Sequence, residues 1–243
     1  MEVAEGIHRL TKGIVNFYLV EEGGKLTLVD AGAPRDWALL DRTISELGRG
    51  WNDLDTVLLT HAHPDHTGVA ERARATASAT VRVHTADAAV ARGARQPRND
   101  GKVSAYLLKA QFYRTTFSLV WRGASKVIPI REVATIGEGE TLDVPGRPRV
   151  VNTPGHTPGT CALFLEERRV LFTGDALLTW NPLTGRPGPQ ISPSGFNRDT
   201  PQALRSLAAL EGISAELILP GHGDPWTEGV PEALRKARAA GPS

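Results

Sequence analysis

The chain has 243 residues, of which 40% are hydrophobic and 23% charged, proportions typical of a globular protein that buries a substantial core. The formal net charge is only +1, so the composition gives no argument for nucleic-acid binding, and the single cysteine, Cys161, excludes an intramolecular disulfide. The sequence has no apolar run of membrane-spanning length and no N-terminal secretory pattern, so we expect a cytoplasmic enzyme that forms one domain over residues 1–243.

Short strands and short helices alternate along the chain, with Gly- and Pro-rich turns between them. Apolar runs predict strands at 14–20, 26–29, 56–60, 81–84, 149–152, 161–165, 170–173 and 216–219. Apolar residues at helical spacing predict helices at about 36–47, 65–75, 86–92, 200–210 and 231–239. Thr200, followed by Pro201, is the predicted N-cap of the fourth helix.

Residues 92–131 form a basic insert, with nine Lys or Arg and a single acid, Asp100. Apolar residues recur within it at helical spacing from Val103 to Trp121, which predicts an amphipathic helix. Three interpretations stay open: an ordinary helix with a solvated basic face, a cap over the active site that favours anionic substrates, or a membrane-surface helix. The apolar face is equally open to a homodimer contact. The aromatic residues predicted to contact substrate are Tyr106, Tyr113, Phe117, Trp121 and, beyond the insert, Trp180.

Four metal-ligand side chains, His61, His63, Asp65 and His66, lie within six residues at the end of the predicted strand 56–60. Three of the seven histidines of the chain fall here, which argues against a polar loop that is rich in histidine by chance. Neutral imidazole binds zinc, iron, nickel or copper. Residues two apart in an extended segment point the same way, so His61 and His63 can bind one ion. The segment therefore predicts a metal site.

Three further ligand-type residues, His156, Asp175 and His222, each follow another predicted strand. Loops at one edge of a sheet are where α/β enzymes place their sites, so the pattern predicts one composite centre. Seven ligands suit two divalent metal ions, for which we expect Zn²⁺, with iron or manganese as alternatives. The predicted ligands are His61, His63 and His156 at one ion, Asp65, His66 and His222 at the other, and Asp175 as the bridge between them.

Asp30 follows the predicted strand 26–29 in the same manner and has two open interpretations. It either orients a ligand histidine or fixes the turn at the end of the strand. His8 and His84 lie outside the pattern and are predicted to be a surface residue and a structural residue, and Cys161 is expected to be buried in its strand.

The motif His61-x-His63-x-Asp65-His66, followed at a distance by His156, Asp175 and His222, resembles the metallo-β-lactamase superfamily from about residue 7 to residue 226. The resemblance implies an α/β (α+β) fold, a four-layer αβ/βα sandwich of two mixed β-sheets flanked by helices, with the metals at one edge. It also implies hydrolysis of an ester, thioester, amide or lactone by a metal-bound hydroxide. With that mechanism, Asp65 is the predicted catalytic residue that passes a proton to the leaving group.

Three departures from known branches of the superfamily narrow the expected activity. Asp175 stands where one class of zinc β-lactamases carries Cys, which argues against antibiotic hydrolysis as the main role. His63 stands where flavodiiron proteins carry Glu, which argues against that branch. Residues 176–178 lack the Tyr of quorum-quenching lactonases. The leading hypothesis is therefore a dinuclear hydrolase of a small acyl substrate, an anionic one if the basic insert covers the site.

Hypotheses from other classes stay open. A persulfide dioxygenase resembles the chain in length and fold and would hold one iron on His61, His156 and Asp175, although its Gly-Arg segment is matched only by Gly185-Arg186 in a longer loop. The complete ligand set argues against a noncatalytic binding module. Nucleic-acid hydrolysis would need a broad basic face with aromatic stacking, of which the insert offers a faint version.

Overall fold

The structure is a computed structural model that describes residues 1–96 and 98–243. Its strands are β1 Glu2–Ala4, β2 Ile7–Lys12, β3 Val15–Glu22, β4 Lys25–Val29, β5 Leu54–Leu59, β6 Thr80–His84, β7 Ala134–Ile136, β8 Arg149–Asn152, β9 Cys161–Leu165, β10 Val170–Gly174, β11 Leu178–Trp180, β12 Pro187–Gln190 and β13 Leu217–Pro220. Its α-helices are α1 Trp37–Glu46, α2 Ala70–Ala77, α3 Ala88–Ala91, α4 Ala110–Trp121, α5 Thr200–Ser206 and α6 Gly229–Ala240. Short 3-10 helices lie at Pro34–Asp36, Trp51–Asp53, Thr85–Asp87, Val103–Tyr106 and Leu207–Leu210.

The strands form two principal sheets. The first contains β1 to β7 in sequence order, antiparallel from β1 to β4 and parallel from β4 to β7. The second has the order β13-β10-β9-β8, in which only β10 and β13 run parallel. Strands β11 and β12 form a separate antiparallel pair. Both principal sheets are therefore mixed, as predicted.

Three apolar clusters give the protein its layers. One lies between the sheets, where the rings of Tyr18 and Phe172 meet at 5.2 Å. A second packs α1, α2 and α3 on the outer face of the first sheet, and a third packs α5 and α6 on the outer face of the second. The predicted four-layer αβ/βα sandwich is confirmed.

The strands that sequence patterns miss are β1, β2, β7, β11 and β12. In β2 only Ile7 and Leu10 are buried, three residues apart, so the two-residue alternation of a half-buried strand is absent. Strand β12 contains Pro187 and Pro189, which indicate a turn in sequence. It tolerates them because it pairs only with β11 and needs few donors.

The predicted helix start at residue 65 is wrong, because α2 begins at Ala70. The amides of His66 and Thr67 both donate to the carbonyl of His63, which closes a tight turn. The amide of Val69 donates to the carbonyl of Ala31 in the loop after β4. The backbone between β5 and α2 is thus used to join two loops, and this keeps the predicted ligand segment out of a helix.

The N-cap of α5 is Asp199, one residue before the predicted Thr200. The side chain of Asp199 accepts a hydrogen bond of 2.7 Å from the amide of Gln202. Thr200 instead donates its amide and hydroxyl to Asp100 in the insert. Aspartate is the stronger of the two adjacent cap candidates, because its negative charge also interacts favourably with the helix N-terminus.

The insert contains the predicted helix, but its apolar side faces outward. The most buried side chains of α4 and its C-cap are polar: Thr115 donates to the carbonyl of Pro182, and Arg122 pairs with Asp36. Phe117 and Trp121 are exposed. In the described part of the chain, moreover, no helix has both the length and the apolar character needed to span a membrane.

Cys161 is expected to be unreactive in the folded protein. Its side chain is fully buried on β9, and burial raises the pKa of the thiol above its ordinary value, so the nucleophilic thiolate is scarce. Titration with Ellman's reagent is predicted to label no thiol in the native protein and one per chain in denaturant. Rapid labelling of the native protein would contradict this placement.

Candidate metal centre

Seven side chains from four loops meet at one edge of the sandwich. The loop after β5 supplies four of them, and the loops after β8, β10 and β13 supply one each. Each of these strands ends in a buried or half-buried residue, so its apolar run fixes where the following polar residue emerges. The residues brought together are His61, His63, Asp65, His66, His156, Asp175 and His222, the complete predicted set.

Their ligand atoms fall into two groups of three, in each of which all atoms lie within 4.8 Å of one another. A third group, His61, His66 and Asp175, meets the same distance limit and shares one histidine with each of the two main groups. The two main groups are His61, His63 and His156, and Asp65, His66 and His222. They coincide with the two ligand sets that the sequence predicts.

Asp175 lies between the two groups. Its Oδ1 is 3.4 Å from Nε2 of His66, and its Oδ2 is 3.4 Å from Nε2 of His156 and 3.3 Å from Nε2 of His222. One carboxylate thus contacts histidines of both groups. This is the position that a bridging ligand requires.

The Nδ1 atoms of four histidines are held by neighbouring groups, which turns each Nε2 toward the centre. Such outer contacts fix ring orientation and tautomer in metal sites. The contacts are His61 with Thr60 Oγ1 at 3.1 Å, His66 with Asp30 Oδ2 at 2.9 Å, His156 with Asn197 Oδ1 at 3.0 Å, and His222 with the carbonyl of Ile14 at 2.6 Å.

The donor atoms fit metal ions. Nε2 of His61, His66 and His156 and Oδ1 of Asp175 are buried and make no hydrogen bond within the described structure. A buried polar atom without a partner costs about 1–3 kcal/mol, so four of them among the candidate ligands favour a site that binds cations. Imidazole and carboxylate together suit zinc, iron or manganese.

The group around His61 and His63 is neutral. Burial, reinforced by the neighbouring histidines, holds the pKa values of both side chains well below the ordinary value. Burial likewise lowers the pKa of His156. Neutral imidazole is the form that binds a metal, so these histidines can bind an ion without first losing a proton.

The group around His66 carries charge. Burial by itself lowers the pKa of His66, but the nearby carboxylates, Asp175 foremost, outweigh it and raise the pKa to about 10. The pKa of His222 is raised in the same way, against burial, by Asp175. Burial would raise the pKa of Asp175, yet His222 and His66 hold it well below its ordinary value. A cation that binds here therefore displaces protons, and metal affinity falls as the pH falls.

Asp30 makes the contacts that each of its two interpretations requires. Its Oδ1 accepts from the amide of Thr60 at 2.8 Å, and its Oδ2 accepts from Nδ1 of His66 at 2.9 Å. The first contact joins the ends of β4 and β5, and the second sets the His66 ring. Its φ of 55° is in the left-handed region, which Asp and Asn adopt more readily than most residues.

Replacing Asp30 by asparagine is expected to lower metal affinity by about 10–100-fold while the fold persists, because outer partners of ligand histidines have effects of this size. Asparagine tolerates the left-handed φ but removes the charge that supports His66. Competition against a chromophoric chelator measures the affinity, and thermal unfolding checks the fold. Unchanged affinity in a folded variant would show that Asp30 only fixes the turn.

Sequence patterns miss two residues that hold the ligand loops. Asp87 accepts from the amides of Ala62 and Gly159, each at 2.9 Å, and thereby ties the loop after β5 to the loop that carries His156. It follows β6 just as the ligands follow their strands, so the same pattern would have found it. Asn197, which orients His156, lies in a loop far from any strand end, and no sequence signal marks it.

The aromatic residues predicted to contact substrate are dispersed. Trp180 lines a cavity of about 630 Å³ beside His222, together with Ile14, Arg114 and Gly223. Tyr106 is buried and bonds to Ser194 and Ser243. The other three predicted contacts, on the exposed face of α4, are Tyr113, Phe117 and Trp121. Of the five, only Trp180 is among the residues that line this cavity.

Comparison with known proteins gives a consistent result. The sequence profile described as the metallo-beta-lactamase superfamily matches residues 10–222, a range that includes all seven candidate ligands. The chain is 29% identical to the probable metallo-hydrolase YflN of Bacillus subtilis over 242 residues, covering 93% of this chain and 87% of that protein. It is 29% identical to the thioesterase pkgB of Emericella nidulans, covering 86% of this chain and 46% of that protein.

Among solved structures, the fold matches a metallo-beta-lactamase family protein, TTHA1429, from Thermus thermophilus. The TM-score is 0.71 at 28% sequence identity, and the match covers 98% of this chain and 80% of that one. The likeness therefore extends over nearly the whole chain, including both principal sheets.

Proposed function

We propose that this chain, a metal-dependent hydrolase that belongs to the metallo-β-lactamase superfamily, holds two divalent metal ions, Zn²⁺ foremost, and cleaves an ester, thioester or lactone of a small acyl substrate. The observation that supports two ions is the division of the ligand atoms into two compact groups with Asp175 between them. One iron on His61, His156 and Asp175 would not account for the second group of ligand atoms, which would bind no ion. When bound, two such ions lower the pKa of water and polarise a carbonyl oxygen.

The side chains have distinct proposed tasks. The histidines hold their Nε2 atoms at fixed positions, so the entropy cost of ordering the site is already met before substrate binds. Asp65 contacts the Nε2 atoms of His66 and His222 through Oδ2 at 3.8 and 3.6 Å. Its side chain is 14% exposed, whereas that of Asp175 is 3% exposed. We therefore assign Asp65 Oδ1 as the atom that carries a proton to the leaving group.

The cavity beside His222 is the proposed substrate site. Apolar surface from Trp180 and Ile14 can hold an acyl chain. Arg9 at the wall is paired with Asp224, so it is the guanidinium of Arg114 that favours a substrate with an anionic group. The likeness to a thioesterase supports a thioester among the candidates. The cavity lining contains none of the seven candidate ligands but reaches His222 through two neighbours: Gly223 follows it in sequence, and the carbonyl of Ile14 lies 2.6 Å from its Nδ1.

Metal content per chain tests the proposal most directly. Untagged protein expressed without metal supplementation would be analysed by mass spectrometry, then assayed with a panel of esters, thioesters and lactones. Two zinc or manganese ions per chain and hydrolysis of at least one substrate are expected. One iron per chain with oxygen uptake on a persulfide would replace the proposal with the dioxygenase hypothesis. A metal content near zero that added metal does not restore would reject the site itself.

A further inference from the structure

The outer face of the insert is an apolar surface without a partner in the described chain. Leu108, in the turn before α4, is 97% exposed, and Phe117 and Trp121 on the helix are 70% and 63% exposed. Val120 and Tyr113 extend the same face. A helix on a globular domain ordinarily turns such residues inward, and here the inward positions are polar. An apolar surface of this kind marks a binding site.

The helix is fixed in this orientation by specific contacts. Arg122 at its C-terminal end forms a buried ion pair with Asp36, and Thr115 at its centre donates to the carbonyl of Pro182. Ser118 lies against the turn at Gly13, where an added Cβ would approach its hydroxyl to 2.8 Å. Turning the apolar face inward would break the ion pair and bury unpaired polar groups. The outward orientation is therefore a property of the fold.

Exposed basic side chains lie near this face, on an insert that is basic in composition. The insert holds nine of the 28 basic residues and one of the 27 acidic residues of the chain, so the remainder holds 19 basic and 26 acidic residues. Lys109, Lys126 and Arg35 are exposed close to the apolar anchors in sequence or space, and the Arg35 guanidinium lies 4.9 Å from the Trp121 ring. The partner of this surface must be anionic as well as apolar.

We propose that the outer face of α4, with the Leu108 turn, docks on an anionic lipid bilayer. Trp, Phe and Leu side chains on one face of a helix, flanked by Lys and Arg, are the composition of helices that lie in the membrane interface. Fully projecting side chains such as Leu108 enter a bilayer without a matching pocket, whereas a protein partner would have to supply one. An isologous dimer through this face would set two strongly basic inserts against each other.

The docked orientation has a consequence for the cavity beside His222. The inner side of α4 contributes Gln111, Arg114 and Ser118 to that cavity, so the bilayer would lie next to its rim. This consequence rests on the proposed function, but the docking surface does not, because it is defined without the metal centre. Membrane binding is therefore measured separately from metal content and hydrolysis.

The test is flotation of the full chain with vesicles of phosphatidylcholine, with and without phosphatidylglycerol. Binding is expected to the anionic vesicles only, to weaken between about 0.15 M and about 1 M salt, and to shift tryptophan emission to shorter wavelength. The Trp121→Phe variant should bind while losing most of the shift. The Leu108→Ser, Phe117→Ser double variant should bind at least about tenfold more weakly, because two buried apolar side chains are removed.

Matched charge reversals complete the design. Lys109→Glu with Lys126→Glu should weaken binding at least about thirtyfold, because each basic residue near an anionic surface is worth about a factor of five. Arg42→Glu with Arg205→Glu, exposed on α1 and α5, should leave it unchanged. No binding to anionic vesicles at about 0.15 M salt, or equal binding by the double serine variant, overturns the proposal. It is also overturned if ultracentrifugation shows a dimer that Phe117→Ser dissociates.

Discussion

The Asp175→Ala variant is expected to lose its activity and at least one metal ion per chain. Asp175 contacts His66, His156 and His222, so its carboxylate lies between the two ligand groups. Partners that only orient ligand histidines are worth about 10–100-fold in metal affinity or activity, so loss of a bridging ligand should lower kcat/KM by more than about 100-fold. Mass spectrometry of the purified variant and steady-state kinetics measure the two effects.

The matched control is Asp143→Ala, which removes an exposed aspartate in the loop before β8 and should change neither quantity. Asp175→Asn keeps the side-chain volume but supplies one oxygen and no charge, so it should also lose activity. This variant separates a ligand role from packing. Full metal content and turnover in folded Asp175→Ala would reject the bridge and, with it, the division of ligands proposed above.

The candidate ligands were predictable from sequence because apolar strands precede them. Each apolar run fixes a strand, the strand fixes the edge at which it ends, and Gly or Pro beside the ligand leaves few alternative paths. The sequence patterns find His156 and His222 for this reason, although 65 residues separate them. Family resemblance adds the arrangement of the sheets, which local patterns do not contain.

What the sequence does not predict depends on contacts between distant segments. The amphipathic spacing of α4 is visible in sequence, but the side that faces the body is decided by Asp36, which pairs with Arg122 from 86 residues away. Asn197 is assigned a task only by the position of His156. Strand β7 has three residues and is defined by its pairing with β6. In each case the local pattern leaves the answer open, and the tertiary partner decides it.

Gly221 brings the backbone close to the candidate metal centre, and its replacement by alanine is the second large effect we expect. A Cβ at this position would lie 2.3 Å from Oδ1 of Asp175 and 2.7 Å from Cε1 of His66. These two shortest contacts are with side chains, and the nearest backbone atom, the carbonyl carbon of Gly174, is 3.2 Å away. The fold can therefore persist if both side chains move, but they then leave their candidate ligand positions. Metal affinity and kcat/KM should each fall by at least about 10–100-fold.

The stability change should be smaller than the functional change, because overpacking of a buried site costs about 1–3 kcal/mol. Gly137→Ala is the control: no atom lies within 4 Å of the added Cβ, and the residue lacks a positive φ, so metal binding should stay at the level of the unsubstituted protein. Chelator competition and thermal unfolding on both variants compare the two glycines. If Gly221→Ala binds metal as tightly as Gly137→Ala does, the placement of Asp175 Oδ1 and His66 is not required for binding, and the centre tolerates a looser geometry than the one described.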